Sequence, residues 1–209
     1  MEFRRALRAG ASEERLARLM QARVASGADK ESIDKRIWDL FGERWAVMFT
    51  DLSGFSRNVA EFGIVHFLQL IYSAENLLLP TIEAHDGILL KVEGDSYVVI
   101  FRNPAKAVAA AIAMQRCLAD YNQGLAAEEQ VLLCVGLGYG DMLRIGDADV
   151  FGAEVNAASK LGEDTAQPWE ILVTGAVHEL ALEVDGVSGS HSITEVPPGA
   201  DSAYRLEYR

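Results

Sequence analysis

The sequence predicts an α+β fold: a ferredoxin-like β-α-β-β-α-β core with an antiparallel sheet, extended by extra C-terminal strands and helices. Three observations carry this reading. From Trp45 onward, apolar runs of strand length alternate with longer stretches of helical periodicity. Two of the runs flank Glu93-Gly94, a hairpin signal. Asn103-Pro104 then opens an Ala-rich stretch, an N-cap residue followed by proline at the first helical position.

In chain order, Trp45 to Thr50 reads as a short buried strand and Ile64 to His85 as an amphipathic helix. Gly87 to Val92 and Asp95 to Phe101 are the paired strands, and the Ala-rich helix runs to about Asn122. Gln130 to Gly138 supplies the fourth core strand. Beyond it the pattern predicts a short strand near Met142 to Ile145, a helix from about Gly152 to Gly162 and a strand at Glu170 to Thr174. A helix starting near Gly175 and terminal strands near His191 to Thr194 and Ala203 to Tyr208 complete the chain.

Residues 1–44 differ from residues 45–209. They are charged, rich in Ala, Arg, Glu and Leu, and free of strand patterns, as expected of a helical N-terminal extension. Two helices separated near Gly27-Ala28-Asp29 are predicted, the second capped by Asp29 or Ser32. Leu16, Leu19, Met20 and Val24 lie near helical spacing and predict a face that packs on the rest of the protein.

With 209 residues, half of them hydrophobic (50%), the chain is long enough for one full core and too short for two ordinary domains. Nineteen basic against 31 acidic residues give a net charge of −12. Nucleic acid and anionic lipid are therefore not expected as partners. A polyphosphate would be repelled as well, unless a divalent cation reversed the local sign. Cys117 and Cys134 lack C-x-x-C spacing and read as small buried thiols in a reducing compartment. No apolar stretch reaches the roughly 18 to 20 residues that span a bilayer. Arg4, Arg5 and Arg8 are not followed by an apolar signal-peptide core. The expectation is a soluble, cytoplasmic protein.

Two blocks point to chemistry. Asp51 stands where the first strand gives way to Ser53-Gly54-Phe55-Ser56, and Asp95 stands at the hairpin between the next two strands. Taken alone, Asp51 reads equally as a helix cap and Asp95 as a turn residue. In a β-α-β-β arrangement the end of the first strand and the start of the third can lie side by side. Both carboxylates then serve one pair of divalent cations, with Phe55 and Ser56 in the turn whose free N–H groups hold phosphate. Two metals of this kind activate a ribose hydroxyl and neutralise phosphates during in-line displacement. That suits cyclisation of a nucleoside triphosphate, whose nucleophile is its own 3'-hydroxyl. No Ser-His or Cys-His apparatus is needed, and His66, His85, His178 and His191 lack ligand or triad spacing. Gly136-Leu137-Gly138-Tyr139-Gly140 lacks G-x-G-x-x-G spacing, and close packing of strands explains it better than a dinucleotide loop.

These blocks resemble those of class III nucleotidyl cyclases. Phe49, Asp51, Leu52, Gly54, Phe55 and Ser56 match the family's F-x-D-[I/L]-x-G-F-[S/T] block. Lys91 and Asp95 match its Lys four residues before a second metal Asp; Asp149, Gly152, Val155, Asn156 and Ser159 match D-x-x-G-x-x-V-N-x-x-S-R up to its final Arg. The resemblance implies metal ligation at Asp51, Leu52 and Asp95, with Mg2+ or Mn2+ as the two cations. It implies adenine recognition by Lys91 and Asp149, ribose orientation by Asn156, and transition-state stabilisation at Lys160. The implied enzyme is an adenylate cyclase making 3',5'-cyclic AMP and pyrophosphate from ATP at sites shared across a head-to-tail homodimer. The chemistry of the base agrees: a Lys ammonium donates to N1 of adenine and an Asp carboxylate accepts from its 6-amino group, whereas guanine presents the opposite polarity.

The chain departs from the family pattern in three places. Lys160 replaces an Arg and loses its bidentate fork. Glu93 takes a position that is usually apolar, either solvated at the hairpin or perturbing the metal site. The stretch from Gly136 to Asp149 is shorter than most members carry, reducing the arm that helps dimer packing. Two alternatives stand beside the cyclase: a nucleotide-binding regulatory module with weak or no turnover, and a cyclase for GTP or a pyrimidine nucleotide.

Overall fold

The structure, a computed structural model, describes residues 2–53 and 61–209, with side chains from residue 11 onward. The elements follow in order: α1 (Glu2–Val24), α2 (Lys30–Phe41), β1 (Gly42–Leu52), α3 (Ile64–Ala84), β2 (Ile88–Glu93) and β3 (Ser96–Phe101). Then come α4 (Pro104–Tyr121), β4 (Leu133–Ile145), β5 (Asp149–Phe151) and α5 (Ala153–Ser159). The last of these runs into a π-helical turn at Lys160–Thr165, followed by β6 (Ile171–Thr174), α6 (Gly175–Ala181), β7 (Val187–Ser192) and β8 (Ala203–Tyr208). One sheet holds the strands in the order β2-β3-β1-β4-β6-β8-β7, with β5 paired to β4. Its first four strands, β2-β3-β1-β4, are antiparallel and, with α3 and α4, form the expected β-α-β-β-α-β core. Only the β4–β6 pairing among the described strands is parallel.

The sheet is covered on both faces. On one, α3 and α4 bury Phe67, Leu78 and Ile82 with Ile112, Met114 and Leu118 against Met48, Val99, Phe101 and Leu137. On the other, Val155 and Ala158 of α5 cover Val47, Phe49, Val98 and Ile100. Local signals hold where they were strongest: Asn103 accepts from Ala105 N–H at 2.9 Å, with Pro104 at the start of α4. Asp29, not Ser32, caps α2, by accepting from Ser32 N–H at 3.1 Å.

Some boundaries differ from expectation. The two strands read at 130–138 and 142–145 are one strand, β4, because β1 pairs with it continuously from Leu52↔Leu133 to Gly42↔Leu143. The same pairing extends β1 three residues before Trp45. β7 lies earlier than His191–Thr194, set by its register on β8 from Val187↔Tyr208 to Ser192↔Tyr204.

In the extension, Leu19 and Leu16 pack with Ile33, Ile37 and Phe41 of α2 on Leu143 and Ile145 of β4. Met20 and Val24 do not join them; they are 43% and 75% exposed. Cys134 is buried as expected, but Cys117 is only half-buried, on the side of α4 turned to the Leu77 carbonyl. Among the described residues, no helix is long and apolar enough to cross a membrane.

Candidate functional site

Register errors place the first site residue. Between Leu89 and Lys91 the pairing of β2 with β3 slips, leaving Leu90 as an extra residue. The bulge sets Lys91 opposite Val98, and Val98 lies opposite Phe49, so Lys91 shares their face of the sheet. Without the slip, strict alternation would have turned its side chain to the face covered by α3 and α4. Glu93 follows two residues on, on the same face, with Oε1 2.9 Å from Lys91 Nζ.

The second partner of Lys91 comes from β5. The chain reverses after β4 at Gly146, whose φ of 59° suits glycine, and pairs Asp149 with Ile145. Both carboxylate oxygens of Asp149 then lie 3.4 Å from Lys91 Nζ. The bond to Glu93 raises the pKa of the ammonium, burial opposes this, and Asp149 reinforces it. Lys91 is therefore a fixed cation between two carboxylates.

Around this pair opens a cleft of about 490 Å³, lined by Phe49, Lys91, Asp149, Phe151, Gly152 and Asn156 among others. Asn156 stands exposed on α5 at its rim. The glycine run of β4 sets the height of α5 above the sheet. A Cβ at Gly136 would lie 2.2 Å from the Ala158 carbonyl, and one at Gly138 2.4 Å from the Glu154 carbonyl. The helix thus rests directly on the strand backbone. Glu154 locks it there, accepting from Tyr139 N–H at 3.0 Å and from Thr174 Oγ1 at 2.7 Å.

Asp51 and Asp95 form a second group outside this cleft lining. Asp51, at the end of β1 opposite Cys134, is half-buried, as is Asp95 at the β2–β3 turn. Burial first, then the charges of Asp95 and Glu163, push the Asp51 carboxyl up to about 6, against hydrogen bonds from Leu52 N–H and Ser96. Asp95 is also shifted up, chiefly by burial and further by Glu163. Its Oδ2 is buried with no hydrogen-bond partner among the described residues. Two half-buried, mutually repelling carboxylates with an orphaned oxygen fit a cation, which would satisfy that oxygen and relieve the repulsion. Leu52, whose side chain is buried in the core, can add only its backbone carbonyl. Among the described residues no three His, Cys, Asp or Glu side chains gather as a fuller ligand set. The remaining ligands would be backbone, solvent or substrate oxygens.

Lys160 does not line the cleft. It closes α5 where the helix widens into the π-helical turn, is exposed, and pairs with Asp164. Its N–H still reaches the Asn156 carbonyl, so the two residues keep i, i+4 stacking on one helix face. Phe55 and Ser56, with Gly54, lie outside the described residues.

Sequence reasoning missed Glu163, a third acid acting on both Asp51 and Asp95 and accepting from Ser159 Oγ at 2.5 Å. No local signal marks the π-helical turn that positions it. The four histidines serve other purposes: His66 and His85 bond backbone carbonyls, His191 pairs with Glu207, and His178 stacks on Tyr204.

Comparison with known proteins bears on the family and the fold. Residues 42–199 match the family model described as the adenylate and guanylate cyclase catalytic domain. The chain is 29% identical over 171 residues to the Rhizobium meliloti protein named "Putative adenylate cyclase 3", covering 80% of this chain and 28% of that protein. It is 27% identical over 158 residues to a Streptomyces coelicolor adenylate cyclase, covering 75% of this chain and 37% of the relative. The chain thus spans well under half the length of these curated relatives. Among solved structures, the guanylyl cyclase Cya2 superposes with a TM-score of 0.66 at 18% identity, covering 79% of this chain and 92% of that one. The adenylyl cyclase CyaB from P. aeruginosa gives 0.62 at 21% identity, covering 80% and 96%. Those likenesses carry the fold, and the family model covers most of the sequence: the chain belongs to the class III adenylate and guanylate cyclase catalytic-domain family.

Proposed function

We propose that this chain is an adenylate cyclase that converts ATP to 3',5'-cyclic AMP and pyrophosphate, with Asp51, Asp95 and the Leu52 carbonyl holding two Mg2+ or Mn2+ ions. The observation that carries the choice of base is the Lys91–Asp149 pair, 3.4 Å apart in the cleft. Lys91 donates to N1 of adenine, and Asp149 accepts from the 6-amino group. Asn156, at the rim, has both donor and acceptor for the ribose, and Lys160 brings a cation for the phosphates. Bound divalent cations supply charge neutralisation at the triphosphate and a more acidic 3'-hydroxyl. In sites shared by two copies, Asp51 and Asp95 of one copy would face Lys91, Asp149 and Asn156 of the other, each copy giving one group to each site.

A second reading has one observation in its favour: Lys160 is engaged by Asp164, which suits a nucleotide-binding regulatory module with weak turnover. Product analysis separates the two. Purified protein is incubated with ATP, GTP, CTP or UTP, with Mn2+ or Mg2+, beside an Asp51→Ala control. Cyclic AMP from ATP alone, absent in the control, is the expected result. Cyclic GMP or a cyclic pyrimidine nucleotide would overturn the base assignment, and tight ATP binding with no product would favour the module.

A further inference from the structure

Thr50 precedes Asp51 and is fully buried, one of few polar side chains in the described core. The ladder between β1 and β3 ends at Phe49↔Val98. At the next step the β1 backbone is replaced by a side chain: Thr50 Oγ1 accepts from Tyr97 N–H at 3.1 Å. Tyr97, itself fully buried, lies two residues after Asp95. A single hydroxyl therefore ties the strand end that carries Asp51 to the strand start that carries Asp95. Ser96, buried between them, reaches back to the Asp51 carboxylate. Each acid is flanked by a hydroxyl that crosses to the other's strand.

We propose that Thr50 is a positioning residue that sets the spacing of Asp51 and Asp95, and through it their affinity for divalent cations. The inference rests on the metal reading given above. A buried N–H that loses its acceptor must find another or shift the strand, and either change moves Asp95 relative to Asp51. A hydrophobic residue of the same shape at position 50 would fill the core equally well, so packing alone does not call for a hydroxyl there.

Three substitutions separate the hydroxyl from the methyl group: Thr50→Ser keeps the first, Thr50→Val keeps the shape, and Thr50→Ala keeps neither. The readout is Mn2+ affinity of the nucleotide-free protein, followed by the electron paramagnetic resonance signal of free Mn2+, with Asp51→Ala as the null. Ser is expected to bind within about twofold of the unaltered protein, and Val and Ala about tenfold more weakly, as for residues that orient metal ligands. Val binding as well as the unaltered protein, or Ser binding as weakly as Ala, would overturn the proposal. Should Val fail to fold, the Ser and Ala pair still decides. If the unaltered protein binds no more Mn2+ than Asp51→Ala, the metal reading itself is wrong and the inference falls with it.

Discussion

Lys91 Nζ lies closer to Glu93, at 2.9 Å, than to Asp149, at 3.4 Å. A base that takes a hydrogen bond from Lys91 must therefore compete with an exposed carboxylate. Ion pairs of that exposure are worth about 0 to 1 kcal/mol, which bounds the competition at about fivefold in affinity. Glu93→Gln removes the competing charge and leaves Asp149 in place. The expected outcome in steady-state kinetics is a lower KM for ATP with kcat unchanged; a raised KM would mean that Glu93 helps hold the base.

The raised pKa of Asp51 gives the metal-free protein a distinct pH dependence. Its folded value of about 6 lies above the ordinary carboxylate value of about 3.9, so between the two the folded state binds the extra proton. This group's contribution to stability is therefore greatest in acid and is lost as pH rises through about 6. Asp51→Asn lacks the charge. In chelator, its melting temperature should exceed that of the unaltered protein above pH 6 and converge with it near pH 4. Parallel melting curves across that range would refute the prediction.

Lys160 offers a point charge where the family pattern has a planar fork, and Asp164 draws that charge away along the helix axis. Lys160→Arg is expected to raise kcat about tenfold, because a bidentate guanidinium bonds phosphate oxygens more strongly. Lys160→Ala should lower kcat by about a hundredfold, in the range set by loss of one charge-stabilising donor. Unchanged kcat in both variants would remove Lys160 from the reaction.

The glycine bed under α5 makes a graded test of packing. A methyl at position 138 meets the Glu154 carbonyl at 2.4 Å, which is backbone and yields only if the helix lifts. At position 140 it meets Glu154 Cγ at 2.8 Å, part of a side chain. Gly138→Ala is expected to cost about 1 to 3 kcal/mol, or roughly 3 to 10 °C in Tm. Gly140→Ala should cost less. Thermal melts of both variants check the order, and a larger loss at 140 would contradict it.

Complementation tests the shared site. Asp51→Ala and Lys91→Ala are each expected to be inactive. Mixed under conditions that exchange subunits, they should recover activity, because one of the two sites in each heterodimer keeps both groups. Activity that stays absent after confirmed exchange would place all the groups in one subunit's own site.

The core order of elements was legible because its signals are local. Asn103-Pro104, the continuous apolar run of Tyr97 to Phe101 and the helical period from Ile64 each follow from residues near one another. The acids at strand ends were legible for the same reason. What stayed hidden depends on partners distant in sequence. The continuity of β4 through three glycines follows from its pairing with β1 and its contact with α5. The bulge at Leu90 turns Lys91 to the Asp149 side and settles Glu93 as its partner, neither solvated alone nor aimed at Asp51. Glu163 joins the acids only through a π-helical turn, whose register no spacing announces.

Leu143 and Ile145 face the α1–α2 pair and are also the strand partners of Phe151 and Asp149. The helical extension and the hairpin that presents Asp149 thus rest on the same two residues of β4, so the carboxylate beside Lys91 and the Leu19–Ile37 packing have a common support one strand wide.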